Sequence, residues 1–241
     1  YSLLSISIYL SIYIFLFLIS FNGFSQNDSL INELFNKNIN KIEEASETKN
    51  KELINEVLNI PLYGSEKNDF IEFTKKQLQQ PNLSFTQEVY LNHQLMRFYV
   101  AVEADFDESF TYLVHILKIL ENKEDHILYP LIIGDAYFIA YWINQIQYDL
   151  VKAEDYITKL IKHATKFDMK KLLIKAKMGE AELTQHKGNL EQAVKKFKAI
   201  EKEIISANDS IQLNRLYLLL SNSFTVKEDN DSAFVFARKA Y

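Results

Sequence analysis

The stretch "GNLEQAVKKFKAIE", residues 188–201, has the pattern of a capped amphipathic helix that follows a tight turn. Gly188 can adopt the left-handed conformation that ends a preceding helix. Asn189 is suited to cap the next helix, with Gln192 three residues on as in a capping box. The apolar residues that follow recur at helical spacing and predict one buried face: Leu190, Ala193, Phe197 and Ile200. The stretch therefore predicts a helical hairpin in which two helices approach closely at Ala193.

Three further stretches share this pattern: "ADFDESFTYLVHIL" from Ala104, "YDLVKAEDYITKLI" from Tyr148 and "EDNDSAFVFARKAY" from Glu228. In each, an acidic or Asn residue comes second and a small residue lies five places after the first. The small residues are Ser109, Ala153, Ala193 and Ala233, at spacings of 44, 40 and 40. A recurring period of this length is typical of helical repeat proteins. With only 5 Gly and 3 Pro in 241 residues, the composition also favours long helices over many short strands.

Upstream of the last turn, the partner helix carries Tyr217-x2-Leu220-Ser221-x2-Phe224, and Ala233 and Ala237 follow. This order resembles the tetratricopeptide repeat family, whose pattern is W-x2-LG-x2-Y followed by A-x3-F. The resemblance covers residues 83–241. It implies an all-α fold, an α-solenoid of antiparallel helix pairs in a right-handed superhelix.

The match departs from the family in three ways. The period of 40 exceeds the family's value of about 34, no copy has the closing Pro, and Tyr141 is bulky where the family prefers Gly. A period near 40 also suits HEAT or armadillo repeats. The sequence therefore leaves the particular α-solenoid family open.

The apolar N-terminus indicates export. The first 27 residues contain no charged side chain, and the run ends in Gly23-Phe24-Ser25, which suits signal peptidase cleavage after Ser25. A stretch of about 20 apolar residues can also cross a bilayer, so an uncleaved membrane anchor is the alternative. We expect residues 1–25 to be a signal peptide or anchor, and the rest to face away from the cytoplasm or to be tethered to a membrane.

The remaining chain is predicted to hold two parts. Residues 26–82 have three amphipathic stripes outside the repeat register, separated near Pro61 and Pro81, and are predicted to be an N-terminal helical cap. Residues 83–241 form the repeat array. Because Tyr241 falls inside a second helix, we expect this array to be truncated at its C-terminus.

Several functional classes are disfavoured by composition and motifs. A net charge of −5 argues against nucleic-acid binding, and the absence of Cys removes thiol nucleophiles and zinc-thiolate sites. The five His residues form no H-E-x-x-H pair, and no G-x-S-x-G elbow or phosphate-binding Gly loop occurs. We expect no enzymatic activity, no metal site and no small-molecule cofactor.

The resemblance implies a partner-binding groove lined by the first helix of each pair. Aromatic residues interleaved with polar groups suit peptide recognition. The repeat register places in this groove Gln94, Phe98, Asp135, Phe138, Trp142, Gln145, Lys175, Met178, Glu182, Gln185, Arg215, Leu218 and Asn222.

Two functions fit these features. The first is a non-enzymatic exported scaffold that binds a peptide or protein partner on its concave face. The second is the extracytoplasmic sensor region of a membrane-spanning signal transducer, a histidine kinase or a helix-turn-helix transcriptional regulator, with its output domain beyond residue 241. Reading the gene past Tyr241 separates the two, because the second requires a further apolar segment and a new domain.

Overall fold

The computed structural model describes residues 28–62 and 67–240, so the predicted signal peptide or anchor lies outside the described residues. The described residues form eleven α-helices and a π-helical segment, Tyr99–Glu103. The helices are α1 Asp28–Glu47, α2 Lys51–Asn59, α3 Lys67–Leu78, α4 Phe85–Phe98, α5 Phe106–Ile119, α6 Tyr129–Ile146, α7 Leu150–Lys166, α8 Lys170–His186, α9 Leu190–Ser206, α10 Ser210–Val226 and α11 Asn230–Lys239. The described residues divide into two compact units; unit 1 ends at Ile132 and unit 2 begins at Ile133.

In unit 1, helix α4 is the central element and packs against α1, α3 and α5. The aromatic side chains of these helices interlock: the Phe35 ring centroid lies 5.8 Å from that of Phe73, and Phe70 lies 4.9 Å from Phe98. Asn38 donates a buried hydrogen bond of 2.8 Å to the Tyr90 hydroxyl. Helix α4 is thus covered along most of its length, which accounts for its content of buried polar as well as apolar side chains.

Unit 2 repeats one helix and one turn every 20 residues. Helices α7 to α10 each contain 17 residues, and three-residue turns join them. One residue of each turn is left-handed, with φ between 50° and 84°: Tyr148, Asp168, Gly188, Asn208 and Glu228. The next residue closes the preceding helix, as where Asn189 N–H donates to Thr184 O at 3.1 Å. The 40-residue period is therefore two copies of a 20-residue unit.

The predicted cap at Asn189 is present in a modified form. Its side-chain oxygen accepts the Gln192 backbone N–H at 3.2 Å, as predicted. Gln192, however, accepts a bond from the Asn189 side-chain amide at 2.8 Å. A reciprocal capping box is formed instead in unit 1, between Ser84 and Gln87.

The longer first spacing of 44 has a local cause. Helix α5 contains 14 residues rather than 17, but the connection to α6 covers residues 120–128 rather than three residues, and α6 contains 18 residues rather than 17. The four small residues that define the repeat are all buried as predicted, and Ser109 donates a hydrogen bond of 2.8 Å to Met96 O. Within each unit the helices pack on neighbours in sequence, so the predicted all-α, solenoid-like fold is confirmed.

The left-handed turn residues give a stability prediction. Glu228 has φ of 62° and an exposed side chain, and a left-handed conformation costs an L-residue about 1–2 kcal/mol. Gly at this position avoids this cost, but ordering its more flexible backbone on folding costs about 0.5–1 kcal/mol more than for Ala. We therefore expect Glu228→Gly to raise the free energy of unfolding by about 0.5 kcal/mol.

Urea denaturation followed by circular dichroism measures this change. Gly188→Ala, at φ of 84°, is the matched control and should lower the free energy of unfolding. Glu228→Ala keeps the left-handed strain and should not stabilise the chain. A destabilised Glu228→Gly protein would show that turn strain does not limit stability here.

Within residues 28–62 and 67–240, no helix combines the length and apolar character needed to cross a membrane.

Candidate functional site

The predicted groove residues of unit 2 lie on the first helices of successive pairs, α6, α8 and α10. Contacts join these helices in order. The Lys175 ammonium on α8 lies 5.8 Å from the Phe138 ring centroid on α6, and a Glu182 carboxylate oxygen on α8 lies 3.2 Å from an Arg215 guanidinium nitrogen on α10. We call this row the groove face, comprising Asp135, Phe138, Trp142, Gln145, Lys175, Glu182, Gln185, Arg215, Leu218 and Asn222.

The α6 part of the groove face is aromatic. Phe138 and Trp142 are half-buried and pack against the core cluster that contains Tyr141 and Leu183. On another side of α6, the Tyr137 ring lies 5.9 Å from His163, and burial raises the pKa of its hydroxyl. Trp142 therefore divides its surface between core packing and solvent, whereas Tyr141 is entirely core.

The part between α8 and α10 is polar and internally paired. The side chains of Glu182 and Arg215 are 11% and 18% exposed, so their ion pair is largely removed from water. One turn further on, Gln185 accepts a hydrogen bond of 2.7 Å from the Ser223 hydroxyl. Since Glu182 and Arg215 neutralise each other, the pair adds no net charge to the groove face.

The remaining groove-face residues are at least partly exposed. Asp135 and Gln145 are half-buried at the two ends of the α6 stripe, Asn222 is half-buried on α10, and Leu218 is 41% exposed.

Two predicted groove residues lie in the core, and the prediction for them is corrected. Phe98 belongs to unit 1 and is fully buried, with its ring centroid 5.5 Å from that of Tyr99. Met178 is fully buried in a cluster with Leu216 and Phe197. Large apolar side chains at helical spacing serve the core whenever a neighbouring helix covers them. Neither presents a surface to a partner.

Gln94 is likewise a structural residue. It is buried in unit 1, where its amide nitrogen donates to Leu58 O at 3.2 Å and its oxygen accepts the Leu62 N–H at 3.2 Å. Arg97 on the same helix also donates to Leu58 O, at 2.8 Å. These side chains satisfy backbone groups at the end of α2, where no helical partner is available.

Sequence reasoning missed Gly179 on α8. The Tyr141 hydroxyl donates a hydrogen bond of 3.0 Å to Gly179 O, and a Cβ at residue 179 would lie 2.8 Å from Tyr141 Cε1. The tetratricopeptide pattern has a small residue at the position of Tyr141. The bulky Tyr141 side chain fits because residue 179, on the first helix of the next pair, is a glycine. The available signal was a lone Gly inside an otherwise regular helical stretch, "KMGEAEL".

The groove face offers contact and hydrogen bonding to a ligand. Among the described residues, no three His, Asp or Glu side chains are grouped to hold a metal ion. Its accessible chemistry consists of two partly exposed rings, the Leu218 side chain, the Lys175 ammonium, the Asp135 carboxyl group and neutral amides.

No protein-family model and no curated protein matches the sequence. Among solved structures, the chain is similar to the crystal structure of BtubC (BKLC) from P. vanneervenii, with a TM-score of 0.56 and 11% sequence identity. The match covers 87% of this chain and 89% of that chain. At this identity the likeness shows a shared helical fold alone.

Proposed function

We propose that the groove face binds an extended peptide or a helix of a partner protein, and that the chain acts as a non-enzymatic scaffold. The observation that carries the proposal is the continuous row made by α6, α8 and α10, in which two half-buried rings lie beside polar side chains. Partly exposed aromatic residues that are fixed by a core are frequent anchors of binding energy, because they bury large areas at low entropic cost.

Each part of the row suits a particular chemical group of the ligand. Phe138 and Trp142 offer apolar contact to a side chain of the ligand. Lys175 supplies a charged donor, held over the Phe138 ring. The amides of Gln145 and Asn222 can each donate to and accept from a peptide backbone. We infer a ligand with one apolar anchor and an adjacent acceptor, a carbonyl or carboxylate.

We further propose that residues 83–241 belong to the tetratricopeptide-like repeats and that the chain is exported. The 40-residue period and the "GNLEQAVKKF" match support the first proposal, and the uncharged segment ending at Ser25 supports the second. Mass spectrometry of the protein from its native cell tests export, since cleavage predicts an N-terminus at Gln26.

Binding can be followed directly because Trp142 is the only Trp of the chain. A peptide chosen by display selection against the chain should shift the fluorescence of this residue on saturation. The Trp142→Ala protein has no Trp, so its binding is measured by the fluorescence anisotropy of a fluorescein-labelled form of the same peptide. We expect its affinity to fall at least tenfold, about 1.4 kcal/mol, because an anchor is removed. Because Trp142 also packs on the core, some stability should be lost as well.

Lys175→Ala tests binding at the groove face without removing a side chain that packs on the core. Lys198 on α9 lies 5.6 Å from the Phe224 ring centroid, so Lys198→Ala removes a similar contact away from the groove face and is the matched control. We expect Lys175→Ala to weaken the selected peptide by roughly threefold to tenfold while Lys198→Ala leaves its affinity unchanged. Equal effects of the two variants would contradict binding at the groove face.

A further inference from the structure

One end of unit 2 is rich in exposed lysine. The turn between α7 and α8 and the turn between α9 and α10 both lie there. Lys177 on α8 contacts Glu203 on α9 at 2.7 Å, and Glu180 contacts Lys196 at 3.0 Å, so the two helices are antiparallel and α8 begins beside the end of α9. Five exposed lysines surround the two turns: Lys162, Lys166, Lys170, Lys171 and Lys202.

The positive charge of this end is largely unmatched. Within residues 28–62 and 67–240, no acidic side chain forms an ion pair with Lys162, Lys170, Lys171 or Lys202. The acidic residues nearby are few and are partly engaged. The Asp209 carboxylate accepts the Gln212 backbone N–H at 3.1 Å, Glu203 pairs with Lys177, and Asp168 is exposed. A net positive surface remains.

The opposite end of unit 2, at the turns that follow α6, α8 and α10, has lysines of a different kind. There each lysine of the turns is paired with a carboxylate, at 2.7 to 3.9 Å: Lys152 with Asp149, Lys187 with Glu154 and Lys227 with Glu191. Positive charge is therefore concentrated at one end of the unit and neutralised at the other.

Two isoleucines are exposed among the unmatched lysines. Ile205 on the last turn of α9 is 56% exposed, and Ile211 on the first turn of α10 is 76% exposed. The equivalent residues forty positions earlier, Thr165 and Lys171, are exposed although α9 and α10 both pack against α8. Helices that follow in the array thus stack beside a turn and leave it uncovered. We call the five lysines together with Ile205 and Ile211 the basic end.

We propose that the basic end binds the surface of a membrane that contains anionic lipids. The ammonium groups lie among the lipid headgroups, and the two isoleucine side chains enter the boundary between headgroups and acyl chains. Attraction of lysine to an anionic lipid surface and burial of apolar side chains act together at such a boundary. The arrangement supplies both contributions on one exposed surface.

The composition of the basic end favours lipid over an acidic protein segment. All five charges are lysine, which acts as a hydrated point charge and needs no fixed geometry, whereas arginine is preferred for paired recognition of carboxylates. The exposed isoleucines gain free energy on entering lipid, but a strongly acidic segment offers them no apolar cover. Both features suit a surface of mobile headgroups.

This inference rests neither on binding at the groove face nor on export. Trp142 and Lys175 belong to the groove face and are not part of the basic end. Variants of the two surfaces therefore test the two proposals separately.

Lysine footprinting tests membrane binding on the 241-residue chain. Acetylation by a water-soluble reagent is followed by mass spectrometry in the presence of vesicles made of phosphatidylcholine alone or of equal parts phosphatidylcholine and phosphatidylserine. Neutral vesicles are the reference, because the apolar segment before Gln26 can insert into either kind. We expect the anionic vesicles to slow acetylation of Lys170 and Lys171 at least about fivefold relative to the reference. Lys187 and Lys227 are the internal controls and should be unaffected, and added salt should reduce the protection.

The apolar contribution is tested by Ile205→Ser/Ile211→Ser. Both positions are exposed, so the variant should keep its helical content in circular dichroism. We expect the protection of the lysines by anionic vesicles to fall at least about threefold, because less apolar surface enters the lipid. Val151→Ser, at a side chain 79% exposed at the opposite end, is the matched control and should leave the protection unchanged.

Three outcomes would overturn the proposal. The first is equal acetylation rates with neutral and anionic vesicles, or protection of Lys187 and Lys227 as strong as that of Lys170 and Lys171. The second is protection by soluble polyglutamate that matches protection by anionic vesicles, since the basic end would then fit an acidic protein segment. The third is full protection of the lysines in the isoleucine double variant.

Discussion

Replacing Gly179 with Ala is expected to lower the free energy of unfolding by about 1 to 3 kcal/mol, the cost of overpacking a close-packed core. At an ordinary helix position the same change raises stability by about 1 kcal/mol, because Ala is the better helix former. The sign is reversed here because the new Cβ would lie 2.8 Å from Tyr141 Cε1 and 3.0 Å from Ile157 Cδ1. The first atom belongs to a fully buried ring whose hydroxyl is bonded to Gly179 O.

A double-mutant cycle with Tyr141→Leu isolates this contact. Leu lacks the two ring atoms nearest residue 179, so in that background Gly179→Ala should be neutral or stabilising by up to about 1 kcal/mol. Tyr141→Leu itself costs stability, through lost packing and the lost bond to Gly179 O. Urea denaturation of the four proteins gives the coupling energy. A Gly179→Ala change that is equally harmful in both backgrounds would assign its effect to another neighbour.

The turns at Tyr148, Gly188 and Glu228 were predictable because their chemistry is local. A left-handed residue followed by a side-chain cap is encoded in three consecutive residues, as in "GNL" at Gly188. The turns at Asp168 and Asn208 were not predicted, and at the first of them Met169 supplies no side-chain cap. The small residue of each copy, as at Ala193, was predictable for a related reason, since close helix approach excludes a larger side chain. These features depend on a helix and its immediate partner.

Burial on the groove face was not predictable in the same way. Met178 and Leu218 occupy equivalent register positions, yet one is fully buried and the other is 41% exposed. The repeat register predicts the direction in which a side chain leaves its own helix. Whether that side chain is buried depends on the packing of the next helix pair. The same limit explains Phe98, which the register aligned with Trp142 and which unit 1 uses as core.

Compensation between distant positions was also beyond sequence reasoning. Tyr141 looked like a departure from a small residue, and Gly179 drew no expectation at all. In the structure the Tyr141 ring occupies the space that a side chain at residue 179 would need, and its hydroxyl donates to Gly179 O. The large residue on α6 therefore requires the glycine on α8. A single sequence contains both residues but not their proximity.

The ion pair between α8 and α10 carries the second large effect. Glu182→Ala is expected to lower the free energy of unfolding by about 2 to 4 kcal/mol, because it leaves the guanidinium of Arg215 poorly compensated in a largely dehydrated place. The exposed pair Lys159–Asp155, whose side chains are 47% and 57% exposed, is the matched control, and Asp155→Ala should cost less than about 1 kcal/mol. Thermal and urea denaturation measure both, and equal costs would contradict the importance of burial.

The double variant Glu182→Leu/Arg215→Met tests whether the ion pair serves stability or partner binding. Replacing both charges by apolar groups of similar size removes the desolvation cost together with the attraction, so most of the stability lost in Glu182→Ala should return. Because the ion pair joins α8 to α10 and is largely removed from water, we expect this variant to keep its affinity for the selected peptide. Retained binding would assign the pair to holding α8 against α10, while a stable double variant that no longer binds would place Glu182 and Arg215 in direct contact with the partner.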